Sequence, residues 1–162
     1  MTVRLVSGNL LASKRQTLVN TVNCVGIMGK GIALKFKQRY PEMYQDYVRR
    51  CDAGVVKPGT PYTYELPDGR LICNFPTKNH WRSSSRLEWV ESGLDELVTQ
   101  APSWGITSLA IPPLGCGHGG LAWEDVGPLM HHYLGRLSID VDIYVPAGVT
   151  PDPPPEEQLA LL

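Results

Sequence analysis

Six short apolar runs of strand type alternate with four helix-type patterns between residues 3 and 145, and this alternation limits the architecture more than any other feature of the chain. Strands are expected at residues 3–6, 17–20, 61–65, 71–75, 108–111 and 139–145, where β-branched and aromatic residues gather between turn formers. Helices are expected at 31–40, 41–51, 86–100 and 123–137. The third helix puts Leu87, Val90, Leu94, Leu97 and Val98 on one face, and the fourth keeps Val126, Met130 and Leu134 in register. Pro67-Asp68-Gly69 marks a hairpin turn between the third and fourth strands. Elements in this order bury their apolar faces best as a layered α/β domain, with one sheet covered by helices on both sides.

The 162 residues suit one such domain. Four of its 14 prolines (Pro151, Pro153, Pro154 and Pro155) lie near the end with Asp152, Glu156 and Glu157, in a stretch without lysine or arginine. The expected organisation is therefore a folded body over residues 1–148 and a tail over 149–162, whose closing Gln-Leu-Ala-Leu-Leu is able to dock. Without the tail's three acids the net charge moves from −1 to +2, so the body is mildly basic.

No apolar run approaches the roughly 18 residues needed to span a bilayer, so no membrane partner is expected. The first eight residues enter a strand pattern with no charged-then-apolar leader. Cys24, Cys51, Cys73 and Cys116 are never closer than 22 positions, which suits reduced thiols in a cytoplasmic protein. The same spacing argues against structural zinc, and neither metal nor cofactor is expected.

In sheets of this kind ligands sit in the loops after the carboxyl ends of the strands. Two such loops, residues 26–31 and 115–120, hold seven of the 16 glycines. Glycines there let backbone N–H groups face an anion with no Cβ in the way, and two facing loops would cradle a diphosphate. Taken singly, each also reads as a tight turn. Neither is a P-loop or a Rossmann fingerprint. His118, inside the second loop, suits a hydrogen bond to phosphate, a proton transfer or plain turn structure. Lys35, Lys37 and Arg39 read as a wet helix face.

Between Gly69 and Leu87 stand four basic residues (Arg70, Lys78, Arg82 and Arg86), no acid, and the aromatic pair His80-Trp81. Charge for phosphates beside a flat ring for a base is the composition of a single-stranded nucleic-acid groove, although a solvated loop with Trp81 packed on the body has the same composition. Lys78 directly follows a strand, where a cleft would desolvate it, lower its pKa and make it a nucleophile or Schiff-base former.

Taken together these residues resemble a macro domain, a fold that binds ADP-ribose with a mixed six-stranded sheet in a three-layer α/β/α arrangement. The marks are Ser7-Gly8-Asn9-Leu10, Leu18-Val19-Asn20-Thr21-Val22-Asn23, Met28-Gly29-Lys30-Gly31-Ile32-Ala33 and Pro113-Leu114-Gly115-Cys116-Gly117. Thr77-Lys78 before a long helix is similar to the lysine-dependent glycohydrolase branch, which includes the terminal ADP-ribose protein glycohydrolase. The run from Asn20 to Gly31, with Asn74-Phe75-Pro76-Thr77-Lys78-Asn79-His80-Trp81-Arg82, most resembles the DarG antitoxins. Those proteins remove the ADP-ribose that a DarT toxin attaches to thymidine in single-stranded DNA.

The resemblance implies roles position by position. The family's acidic residue at the adenine becomes Asn9, with the Leu10 backbone beside the ring. Met28, Gly29, Lys30, Gly31, Ile32 and Ala33 would embrace the diphosphate and distal ribose, facing Pro113, Leu114, Gly115, Cys116, Gly117, His118, Gly119, Gly120 and Leu121. Asn20 and Asn23 would lie near the distal ribose, with Asn20 orienting the substrate. Lys78, beside Thr77, would be the catalytic lysine, acting at the anomeric carbon directly or by polarising the scissile bond. His80, Trp81, Arg82 and Arg86 are the expected nucleic-acid contacts. Gly119 stands where the protein glycohydrolase carries an aspartate.

The implied activity is removal of ADP-ribose from thymidine, in an antitoxin partnered with a DarT-type toxin and with ADP-ribosylated single-stranded DNA. A non-catalytic ADP-ribose reader, and a hydrolase of ADP-ribosyl-glutamate or ADP-ribose 1″-phosphate, share the same loops.

Overall fold

Side chains on a strand alternate between faces, and the central strand shows what this alternation builds. A computed structural model of the protein describes residues 2–154. Strand β1 spans Val3–Val6, β2 Thr17–Val22, β3 Tyr62–Glu65, β4 Leu71–Pro76, β5 Ser108–Ile111 and β6 Asp140–Tyr144. Helices are α1 Gly31–Arg39, α2 Pro41–Asp52, α3 Leu87–Trp104 and α4 Trp123–Leu134, with a single 3-10 turn at Leu10–Ala12. On β2, Val19 joins a core with Phe75, Val90, Leu94, Leu97 and Met130, from β4, α3 and α4. Its neighbours Leu18 and Val22 face the other way, toward Phe36 of α1 and Met43 and Tyr47 of α2. Each buried Leu or Phe contributes about 1.5–3 kcal/mol. The two cores are the two inner surfaces of an α/β/α sandwich.

The sheet order is β1-β6-β5-β2-β4-β3. Every neighbouring pair is parallel except the β3–β4 hairpin, which makes the sheet mixed. At its turn Arg70 N–H donates to the Asp68 carboxylate at 2.9 Å and Gly69 takes φ +88°. Five strands therefore end at one edge of the sheet, and the loops that leave them form one rim.

The expected elements are all present, with three ends shifted by more than one residue. The second strand runs to Val22 rather than 20, because it pairs with β4 as far as Pro76. Helix α3 continues through Pro102, whose missing N–H removes one late hydrogen bond, and stops at Gly105 in the left-handed region at φ +78°. Helix α4 stops at Leu134, with Gly135 N–H bonded to His131 C=O at 3.0 Å. The chain expected to leave the body at 149 stays on it to Pro153. Asp152 exchanges bonds with Leu5 (2.7 and 2.9 Å), and Pro153 C=O accepts from Arg4 at 2.6 Å. The closing Gln-Leu-Ala-Leu-Leu falls outside the described residues. Among the described residues no helix is long and apolar enough to cross a membrane.

Candidate functional site

The rim formed by the strand ends encloses a cleft of about 900 Å³, a volume suited to a ligand of nucleotide-sugar size. Its walls come from Gly8, Asn9 and Leu10 after β1, Asn23 after β2, Thr77 and Lys78 after β4, Pro112 and Pro113 after β5, and Tyr144 and Val145 at the end of β6. Lys30, Lys35 and Lys78 line it, and none of the described lining residues is an aspartate or glutamate. Such a cleft favours a polyanion.

The first glycine loop is held from beneath. Asn23 Nδ2 donates to Ile27 C=O at 2.8 Å, while its Oδ1 accepts from Val25 N–H at 3.0 Å and from the buried Tyr47 hydroxyl at 2.7 Å. The Tyr44 hydroxyl donates to Gly26 C=O at 2.9 Å. Asn23 thus spends its carbonyl oxygen on shaping the loop. Burial, the main cause, pushes the Tyr47 hydroxyl's pKa far up and keeps it a neutral donor. The loop delivers the chain to α1, whose start no side chain caps. Gly31, Ile32 and Ala33, all at the cleft, begin that helix, and their N–H groups precede the first available helical acceptor.

The second loop closes on itself through Cys116 N–H to Pro113 C=O (3.1 Å) and Leu121 N–H to Gly115 C=O (2.9 Å). The two loops meet at His118. A Cβ placed on Gly31 would come within 3.3 Å of the His118 ring, and Gly31 already has φ +57°. The Cys116 thiol bonds to Leu114 C=O at 3.6 Å, and burial pushes its pKa up to about 11, so it is no thiolate nucleophile.

Lys78 enters from the third side. Its ammonium donates to Trp81 C=O at 3.3 Å. Partial burial, and then the charge of Lys30, hold its pKa below that of an ordinary lysine. The backbone here is tied to the stretch just before the first loop, since the Cys24 thiol donates to Lys78 C=O at 3.6 Å and Cys24 N–H to Asn79 C=O at 3.1 Å. Further along, Ser85 N–H donates to Gly119 C=O at 3.0 Å, joining the basic segment to the second loop. The Ser85 hydroxyl is buried in that joint without a hydrogen-bond partner. An ideal Cβ at Gly119 would collide with it and lie 2.6 Å from Gly115 C=O. No side chain fits at 119 in this arrangement, an aspartate included.

The structure corrects several expectations. Asn20 does not reach the cleft. It is fully buried one pleat behind the strand end, where its Nδ2 donates to Asn74 Oδ1 at 3.1 Å and its Oδ1 is unpartnered. Met28 and Leu114 send their side chains into the two cores, and Leu121 packs on the α3/α4 core. With Cys116 and Gly120 they shape the loops but lie outside the cleft lining. Of the expected nucleic-acid contacts only Trp81 lines the cleft; His80, Arg82 and Arg86 are not among its lining residues. Asn9 lines the cleft, but its Oδ1 is already bonded to Leu11 N–H at 3.1 Å.

Arg70 belongs elsewhere, at the start of β4, donating to Ser13 and Arg15 carbonyls at 2.9 and 2.7 Å. Lys35, read as a wet helix face, is exposed and also lines the cleft. Lining residues that sequence reasoning missed include Tyr144 and Val145, which the strand-end rule would have indicated, and Ser85, for which no local signal exists.

Residues 19–130 match the macro domain family model, and the chain belongs to that family. Within it, the chain is 47% identical over 148 residues to the DNA ADP-ribosyl glycohydrolase of Thermus aquaticus, covering 89% of this chain and 41% of that protein. The macrodomain of Mycobacterium tuberculosis DarG superposes with a TM-score of 0.86 at 45% identity, covering 90% of this chain and 99% of that one. Thermosipho africanus DarTG in complex with ADP-ribose gives a TM-score of 0.85 at 40% identity, covering 97% and 44%. The chain spans about two-fifths of the length of the curated DNA ADP-ribosyl glycohydrolases it matches.

Proposed function

We propose that this chain is an ADP-ribosyl glycohydrolase that removes ADP-ribose from thymidine in single-stranded DNA, and that it counteracts a DarT-type toxin. The observation that carries the reading is Lys78, a partly buried lysine that shares with two anion-cradling loops a cleft that no described carboxylate lines. The activity of the relatives and the ADP-ribose bound in the DarTG complex support it.

In this reading the diphosphate lies between the α1 start and the second loop, near Lys30 and His118. The distal ribose then lies against Thr77 and Lys78. The neutral Lys78 amine attacks the anomeric carbon as the bond from that carbon to the thymine ring nitrogen breaks. The departing nitrogen takes the electron pair and the proton released by the amine. Water then hydrolyses the lysine–sugar adduct, freeing ADP-ribose and restoring Lys78. The lowered pKa serves this step by raising the fraction of neutral amine at a given pH. Asn20 has no direct part, since it lies beneath the floor of the cleft.

The test is a substrate panel of ADP-ribosylated single-stranded DNA, ADP-ribosyl-glutamate protein and ADP-ribose 1″-phosphate, with the intact chain and with Lys78→Ala. DNA should be the preferred substrate. The variant should lose at least about 10²–10⁴-fold in turnover yet still bind ADP-ribose by calorimetry. Turnover by Lys78→Ala equal to the intact chain would refute the role of Lys78. No turnover of any substrate by the intact chain would leave an ADP-ribose reader.

A further inference from the structure

From Trp81, which lines the cleft, into the first turn of α3, one small arrangement occurs twice. The Arg82 guanidinium carbon lies 4.5 Å from the centroid of the Trp81 ring, and that of Arg86 lies 4.9 Å from the centroid of the Trp89 ring. Trp81 is 39% exposed and lines the cleft mouth. Trp89, half-buried, belongs to neither core, so packing alone does not account for an indole at this position. Leu87, between them, is also 39% exposed. The neighbouring acid is Glu88, 3.4 Å from Arg86, in a pair whose side chains are 65% and 68% exposed. Such an exposed pair contributes little and yields readily to a phosphate.

An indole beneath a guanidinium offers a flat surface for a base and a fixed cation for the adjoining phosphate. One such pair could serve a protein partner equally well. Two pairs in succession, beginning at the mouth of a lysine-lined cleft, match a charged polymer of flat units better. The turn closed by Ser83 N–H on His80 C=O, the short stretch to Arg86 and the first residues of α3 keep Trp81 and Trp89 within about 22 Å of each other, within reach of a few nucleotides.

We propose that Arg86 and Trp89 form a second station for single-stranded nucleic acid, so that the strand flanking the modified nucleotide leaves the cleft over Trp81 and Arg82 and continues along the start of α3. This rests on the function proposed above for which nucleotide occupies the cleft. The coupling to chemistry is direct, because the carbonyl that holds the Lys78 ammonium belongs to Trp81.

The experiment measures fluorescence anisotropy of unmodified labelled oligothymidylates of about four and about twelve nucleotides, with ADP-ribose binding followed in parallel. The intact chain should bind the longer strand more tightly. Trp89→Ala should weaken that binding by about tenfold, and Trp89→Phe should restore most of it. Arg86→Ala should lower the slope of log affinity against log salt by about one.

No loss for the oligonucleotide with Trp89→Ala, or an equal loss for ADP-ribose and oligonucleotide, would overturn the proposal. So would binding of the toxin on this face without binding of the oligonucleotide. Because the probe carries no ADP-ribose, Trp89-dependent binding by a chain that cleaves no ADP-ribosylated DNA would overturn the glycohydrolase reading and leave this one standing. The converse result would overturn this one alone.

Discussion

The first glycine loop and the basic segment both line the cleft, yet they are held in different ways. The loop at residues 23–27 is cross-braced by two tyrosine hydroxyls and by both ends of the Asn23 amide, all anchored on α2 or on the loop itself. The segment at 78–86 is held through its backbone, by Cys24 N–H to Asn79 C=O, Ser83 N–H to His80 C=O, Ser85 N–H to Gly119 C=O and the Lys78 ammonium to Trp81 C=O, while the side chains of Trp81, Arg82 and Arg86 face solvent. The difference separates two tasks. Binding a small rigid anion gains from preorganisation, because little ordering cost remains when the ligand arrives. Accepting a polymer and aligning a reacting amine suits a wall that can adjust.

Apart from removal of Lys78, the largest effect should come from the joint between the basic segment and the second loop. Gly119→Asp inserts a side chain where Ser85 Oγ and Gly115 C=O already lie. It should destabilise the fold by about 1–3 kcal/mol and abolish detectable ADP-ribose binding, read by thermal melting and calorimetry. Ser85→Ala removes an unpartnered buried hydroxyl and should be neutral or slightly stabilising. If Gly119→Asp melted and bound like the natural chain, the joint would not be the rigid point described.

A smaller loss should follow from Tyr47→Phe, which takes a donor from Asn23. About 1–3 kcal/mol of stability should disappear, together with part of the ADP-ribose affinity. Trp81→Ala, in the lightly held wall, should leave the melting temperature within about half a kcal/mol of the original in stability terms. Equal melting shifts for the two variants would erase the contrast between the walls.

The smallest effect concerns pH. As nucleophile, Lys78 is active when neutral, so the rate should climb as pH rises through its lowered pKa and then level off. Lys30 is one of the two groups of forces that hold that pKa down, after burial. Lys30→Ala removes the repulsion, raises the pKa and should move the climb to higher pH. Movement to lower pH would contradict the assignment of the neutral amine.

Much of this was legible in the chain because the signals are local. Strand and helix periods fix which side of an element is apolar, and Pro67-Asp68-Gly69 turned as its residue types require. Lys78 lay at a cleft because it directly follows a parallel strand. Less legible was Asn20, whose motif placed it with the ligand. It shares a face with Leu18 and Val22 and is covered by Asn74 and Met28, and that cover depends on the pairing of β2 with β4. Arg70 shows the same limit, since it is grouped with Lys78 in the chain but bound to backbone at the far end of the sheet.

What the sequence by itself determined was the layered sandwich, the two glycine loops and the lysine at a strand end, since each follows from spacing within a few residues. Only the tertiary structure decided which side chains share the cleft and why 119 must be glycine. Those outcomes depend on strand register and on contacts between segments 30 to 90 residues apart in the chain, where the pattern of neighbouring residues holds no information.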